Sequence, residues 1–167
     1  MNLDFSDEQK QLRDQVRRFL TEKCPPETVR AILESDENYD KALYAGLAEL
    51  GLLGAAIPEE YGGVGLGHLE FAEELGRVIA PVPVSSSIYL AAEFLLLAGS
   101  ENQKSEWLPK LASGEAIGTF ALVEGQGRAA PEKIAASVKG GKLSGTKVPV
   151  ADGCDADFAV VAAQDEA

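Results

Sequence analysis

Histidine is nearly missing from this chain: His68 is the one imidazole in 167 residues. Any mechanism built on a Ser-His or Cys-His pair has to use it, and it follows the glycine-rich YGGVGLG at the expected start of a helix, where a solvated histidine is the simpler reading. Cysteine is also scarce. Cys24 and Cys154 stand far apart without a CxxC or Cys/His companion, which leaves two reduced thiols and no expected metal site. Positive charge is short too. With 15 basic against 27 acidic residues the net charge is -12, and such a surface repels a nucleic-acid backbone. Long apolar runs do not occur: IYLAAEFLLLAG is interrupted by Glu93 and is too short to span a bilayer, so no membrane partner is expected. The start, MNLDFSDEQK, has no basic residues followed by an apolar stretch, so no secretory signal is expected and a cytoplasmic location is.

What is present reads as a folded chain, since 46% apolar and 25% charged residues argue against both disorder and a disulfide scaffold. Ser6 followed three residues later by Gln9 is a capping-box signal, and Leu12, Val16, Phe19 and Leu20 recur on one face. This predicts a helix over 7–23, stopped by Pro25 and Pro26, with a weaker helical stretch around Val29, Ile32 and Leu33. Leu43, Leu47 and Leu50 mark another helix, with Gly51 as its left-handed cap. IPEEYGGVGLG holds too many glycines for a helix and predicts a turn-rich loop. Residues 69–79 resume the helical period, with Glu70, Glu73 and Glu74 toward the positive end of the dipole. Ser85, Ser86 and Ser87 offer caps for an apolar helix through Leu97, closed by Gly99, whose all-round apolar surface places it centrally. A further helix over 101–111 carries Trp107 as a packing residue and ends near Gly114.

Beyond Gly114 the period changes from helical to strand-like. AIGTFALV is a short run bounded by turn residues, KIAASVKGGKLSGTKVPV reads as a hairpin around Gly140 and Gly141, and DFAVVAA is another strand. The expected class is therefore α+β: an all-α helical bundle over 1–115, then the first strands of a β-barrel-like domain over 116–167. About four short strands leave open edges, which implies that the natural chain continues beyond Ala167 or that another chain completes the sheet.

The order of these pieces resembles the N-terminal part of the acyl-CoA dehydrogenase family, over the whole chain. FSDEQKQLRDQVRRFL is similar to that family's first helix and ELGLLGAAIPEEYGGVGLG to its following loop. EELGRV, GSENQKSEWLPKLASGEAIGTFALVE and LSGTKVPVADGCDADFAVVAA fall in the family's order. The resemblance implies a FAD-dependent removal of two hydrogens from Cα and Cβ of an acyl-CoA thioester, with a carboxylate base taking the α proton and the β hydrogen leaving as hydride. It also implies an electron-transfer flavoprotein as electron acceptor, a homo- or hetero-oligomer, and a base in a C-terminal helical domain that this sequence does not contain. No catalytic residue is therefore assigned within the chain.

The resemblance places Phe120, Leu122 and Val123, and later Pro149, Val150 and Ala151, at the flavin, and Ala129 at the substrate. Several side chains depart from the family's pattern. Val123 stands at the family's threonine, Gly125 at its proline, Ala129 and Ala130 at its Ser-Asp, Pro149 at its tryptophan and Ala151 at its hydroxyl residue. Main-chain N–H groups survive such changes. A lost hydroxyl bond and a lost aromatic face are each worth about 1 kcal/mol, together roughly a hundredfold in affinity. Two readings follow from the resemblance: a dehydrogenase that holds FAD mainly through its backbone, or a flavin-poor partner subunit of a heteromeric, for example steroid side-chain, dehydrogenase. A third is a helical scaffold without any ligand, since VEGQGRAAPEK is no dinucleotide fingerprint and its glycines also suit simple turns. Glu124, the one acid of GTFALVEGQGRAA, is expected to accept backbone N–H bonds rather than to move protons, because the resemblance puts the base elsewhere.

Overall fold

The structure, a computed structural model, describes residues 7–65, 69–126 and 130–165. Ser6, His68 and Ala129 lie outside the described residues. α1 (Asp7–Lys23) has the bounds its spacing predicts, with Val16 and Leu20 fully buried. Pro26 opens α2 (Pro26–Leu33) at a first-turn position, where a missing N–H costs nothing. Asp40 caps α3 (Lys41–Glu49), its carboxylate accepting the Leu43 N–H at 2.9 Å. α3 stops one residue before Leu50, so Leu43 and Leu47 reach the core while Leu50 is largely solvent-facing, and Gly51 turns the chain at φ +72°. The glycine-rich loop contains a 3₁₀ turn (Glu59–Tyr61) and folds back so closely that a Cβ on Gly63 would collide with the carbonyl of Ile57.

α4 (Leu69–Val78) packs on α1. Its Glu74 has a different role from the dipole partner read in the sequence. The carboxylate is fully buried and accepts from Arg17 Nε at 3.0 Å and Nη2 at 2.5 Å, and from Arg77 Nε at 2.8 Å. Those bonds, Arg17's first, hold its carboxyl below the usual carboxylate range against the opposing effect of burial.

The apolar helix starts before the serines that were expected to cap it. Pro83 precedes α5 (Val84–Ser86), which continues as a π-helical segment (Ser87–Ala92) and then as α6 (Glu93–Ala98). Ser86 and Ser87 are buried inside the helix and cap nothing; Ser87 Oγ accepts the N–H of Gly118 at 3.1 Å. Gly99 is extended rather than left-handed. α7 (Glu101–Ser113) begins with a capping box between Ser100 and Gln103 and ends at Gly114, φ +72°. Leu20, Leu47, Leu53, Phe71, Ile88, Leu108 and Leu111 form the shared core of the helices.

β1 (Gly118–Ala121) pairs in parallel with β4 (Phe158–Val161), Gly118 opposite Phe158. β2 (Ser137–Lys139) and β3 (Lys142–Ser144) form the expected hairpin, with Gly140 and Gly141 at φ +55° and +74° as a two-residue turn demands. A fifth strand, β5 (Gln164–Asp165), lies parallel to β2. Trp107 of α7 packs on Phe158 of β4, ring centroids 4.4 Å apart, and docks the sheet on the helices. The fold is thus α+β, a helical bundle followed by the first strands of a β domain.

Candidate functional site

The two segments that the sequence marked for a cofactor lie side by side. Val148 donates its N–H to the carbonyl of Val123 at 2.7 Å, and Gly125 donates to the carbonyl of Val148 at 2.8 Å. Val123 is thereby paired with Val148, the residue before Pro149. The structure does not place Ala129 with them, because it lies outside the described residues.

Strand alternation decides which main-chain donors are spoken for. The carbonyls of Ile117 and Ala121 accept from Asp157 and Ala162, so odd-numbered residues of β1 face β4. Gly118 points the other way, and its N–H is taken by Ser87. Phe120 and Leu122 share the phase of Gly118, so their N–H groups point to the edge of β1 away from β4. The Leu122 carbonyl on that edge accepts from Lys147 Nζ at 3.2 Å. The Phe120 ring stacks on Phe94 of α6, centroids 4.2 Å apart.

Glu124 behaves as expected. Lys147 Nζ donates to its Oε1 at 2.6 Å, Ala136 N–H to the same oxygen at 2.9 Å, and Ala135 N–H to Oε2 at 2.7 Å. These bonds, the Lys147 contact first, pull its carboxyl down to about 2. A carboxylate with both oxygens engaged and so low an affinity for protons is a clamp, not a general base.

Three polar residues gave no functional signal in the sequence and prove central here. Thr119, almost fully buried, donates its hydroxyl to the carbonyl of Ala151 at 2.6 Å. Ser86, buried on the central helix, donates to the carboxylate of Asp152, and Asp152 itself holds a left-handed φ of +52°. In sequence, the threonine is one more strand former, the serine one more cap and the aspartate one more turn residue; their partners are 32 and 66 positions away. Among the described residues no cluster of three metal-capable side chains occurs, and no helix is long and apolar enough to cross a membrane.

A family model described as "Acyl-CoA dehydrogenase, N-terminal domain" matches residues 6–115. The chain belongs to the acyl-CoA dehydrogenase family. Mitochondrial isovaleryl-CoA dehydrogenase of Bos taurus is 36% identical over 169 residues, covering 96% of this chain and 40% of that protein. Among solved structures, the ChsE4-ChsE5 complex from Mycobacterium tuberculosis superposes with a TM-score of 0.86 at 30% identity, covering 99% of this chain and 46% of that one. An acyl-CoA dehydrogenase complexed with FAD from Bacillus anthracis superposes at 0.81 and 32% identity, covering 97% and 30%. This chain therefore spans less than half the length of each of these three proteins.

Proposed function

We propose that this chain is the N-terminal part of a FAD-dependent acyl-CoA dehydrogenase that desaturates an acyl-CoA thioester between Cα and Cβ and passes the electrons to an electron-transfer flavoprotein. The observation that carries this reading is the main-chain pairing of the Val123–Gly125 segment with Val148, within a chain of this family. FAD, when bound, supplies a two-electron acceptor. The donors on this chain fit it through the main chain. The N–H groups of Phe120 and Leu122 point to the edge of β1 away from β4, whereas Val123 has the opposite phase and its carbonyl is taken by Val148. Val150 and Ala151 add backbone N–H groups, and Pro149, which has none, adds only shape. Ala129 is proposed at the substrate by its place after the strand, and residues 1–115 and 116–167 are proposed as two domains. The proton-accepting carboxylate is proposed outside this chain, because Glu124 is fully engaged.

A second reading has its own support. The flavin-facing positions lack a threonine hydroxyl, a tryptophan and a second hydroxyl, and one close structural neighbour is a complex of two differently named chains. On that reading this chain is a flavin-poor subunit that completes a site with a partner. The visible absorbance of the full-length protein, purified alone and without added flavin, separates the two. A flavin band that bleaches on adding acyl-CoA supports the first; a colourless protein that gains flavin only beside a second subunit supports the second. If neither FAD nor an acyl-CoA is taken up in either form, both are refuted.

A further inference from the structure

We propose that Thr119 and Ser86 are positioning residues that latch the Pro149–Asp152 turn onto β1 and the central helix, and so set the spacing between the two backbone segments assigned to the flavin. The inference rests on the FAD reading above and adds to it the residues that make a backbone-only site workable.

Val148, just before the turn, is paired with Val123 and Gly125, but from Pro149 to Asp152 the chain has few bonds of its own. Pro149 and Ala151 are exposed, and the local backbone bonds are those from Gly153 to the carbonyl of Val150, at 3.3 Å, and from Asp155 to that of Asp152, at 3.1 Å. Against this, Thr119 sits in a paired strand with its side chain almost fully buried, and its hydroxyl meets the Ala151 carbonyl at 2.6 Å. One residue on, the Asp152 carboxylate accepts from Ser86, which is buried in the helix. Asp152 adopts φ +52°, a conformation L residues avoid, and aspartate tolerates it where its side chain finds a local or tertiary partner. The turn is thus tied at two consecutive residues to two different rigid elements.

The latch matters because of what the site lacks. With valine at 123 and alanine at 151, no side-chain hydroxyl there is available to adapt to a ligand. Main-chain donors do not adapt either, so their value depends on how accurately the two segments are held relative to each other. Thr119 sits one residue before Phe120 on β1, and its bond ends on Ala151. A single hydroxyl therefore spans the two halves of the proposed site.

The test uses the full-length protein with three variants: Thr119→Val, which keeps the shape and removes the hydroxyl; Thr119→Ser, which keeps the hydroxyl; and Ser86→Ala. Two readouts are taken, amide hydrogen exchange over the peptide 148–155 and the Kd for FAD of the deflavinated protein. Expected are exchange at least about fivefold faster over 148–155 in Thr119→Val and Ser86→Ala, with β1 itself unchanged. FAD affinity in Thr119→Val should fall roughly tenfold, the effect of one lost hydrogen bond, and Thr119→Ser should restore both readouts. A purely structural threonine would lower the melting temperature and leave the FAD Kd of the folded protein within twofold of wild type, and that result overturns the inference. Unchanged exchange over 148–155 in both Thr119→Val and Ser86→Ala overturns the latch itself. If wild-type protein takes up no FAD, alone or beside a second subunit, the flavoprotein reading falls and the flavin half of this inference with it, while the exchange rates still decide the latch.

Discussion

Replacing Glu74 should show that the buried ion triad between α1 and α4 contributes less stability than its hydrogen bonds suggest, because burying the carboxylate offsets much of their gain. The carboxylate is fully buried, whereas the Arg17 and Arg77 side chains that hold it are 50% and 41% exposed. This asymmetry sets the expected order. In Glu74→Gln the shape is kept, but the amide NH₂ meets guanidinium donors where an oxygen accepted before. About two charge-assisted bonds are lost, at roughly 1.5–3 kcal/mol each, offset by relief of the carboxylate's burial cost and by rehydration of the half-exposed arginines. A net loss of about 2 kcal/mol results, which for a folding unit of this size lowers the melting temperature by about 4–8 °C. Glu74→Leu removes the charge and every polar atom to be satisfied, and should cost less than the glutamine. Arg17→Met leaves the carboxylate buried with one partner fewer and should be the worst of the three. The assay is thermal unfolding of the full-length protein followed by helical circular dichroism, at pH 7 and again at pH 4. Because the folded carboxyl is held below its ordinary range, its contribution is present above the unfolded value and drains away as pH falls through it. The gap between wild type and Glu74→Leu should therefore shift toward the leucine variant on acidification. If Glu74→Leu proves the least stable of the three at pH 7, the triad is net stabilising and this reasoning is wrong.

Two further outcomes follow from the same geometry. Glu124 moves from an ordinary value of 4.5 in the unfolded chain to about 2 in the fold, so its clamp on Ala135 and Ala136 persists at neutral pH and is lost between about pH 5 and 2. Glu124→Gln should exchange the 135 and 136 amides faster at pH 7 and flatten the acid side of the stability curve; an unchanged acid transition would refute the assignment. Glycines should also differ sharply by place. Gly63→Ala forces a methyl into the Ile57 carbonyl and should abolish soluble expression or lower the melting temperature by well over 10 °C, whereas Gly76→Ala, in α4 with open space around it, should raise stability by roughly 0.5–1 kcal/mol. Equal effects in a melting assay would contradict both.

The residues most legible in the sequence are those whose partners are near. α1 ends where Pro25 and Pro26 stop it, and the β2–β3 hairpin sits on its two glycines. Glu124 is legible as a backbone acceptor through the resemblance, which puts the base elsewhere, and the structure gives it the Ala135 and Ala136 N–H groups. Leu50 shows how a local pattern fails by a single residue, since its spacing suits the apolar face of α3 but the helix ends first. Glu74 and Ser87 fail for another reason. Each has a respectable local role, dipole partner or cap, and each takes instead a tertiary partner, Arg17 or Gly118, which no window of neighbouring residues contains. The proposed site divides the same way: Phe120, Leu122, Val123, Pro149, Val150 and Ala151 are assigned through a resemblance, while the bonds of Thr119 and Ser86 to Ala151 and Asp152 are visible only in the fold.

The parallel pairing of β1 with β4 has a consequence for the order in which the molecule is made. β1 leaves the ribosome with its partner still unsynthesised, since the hairpin and the 149–155 turn must be translated before β4 exists. A lone apolar strand at that stage is an aggregation hazard. The helices preceding it are already complete, and the inward Ser87 hydroxyl and the Phe94 ring present a docking place for the N–H of Gly118 and the ring of Phe120. The central helix is thus placed to shelter β1 during translation until the second strand arrives.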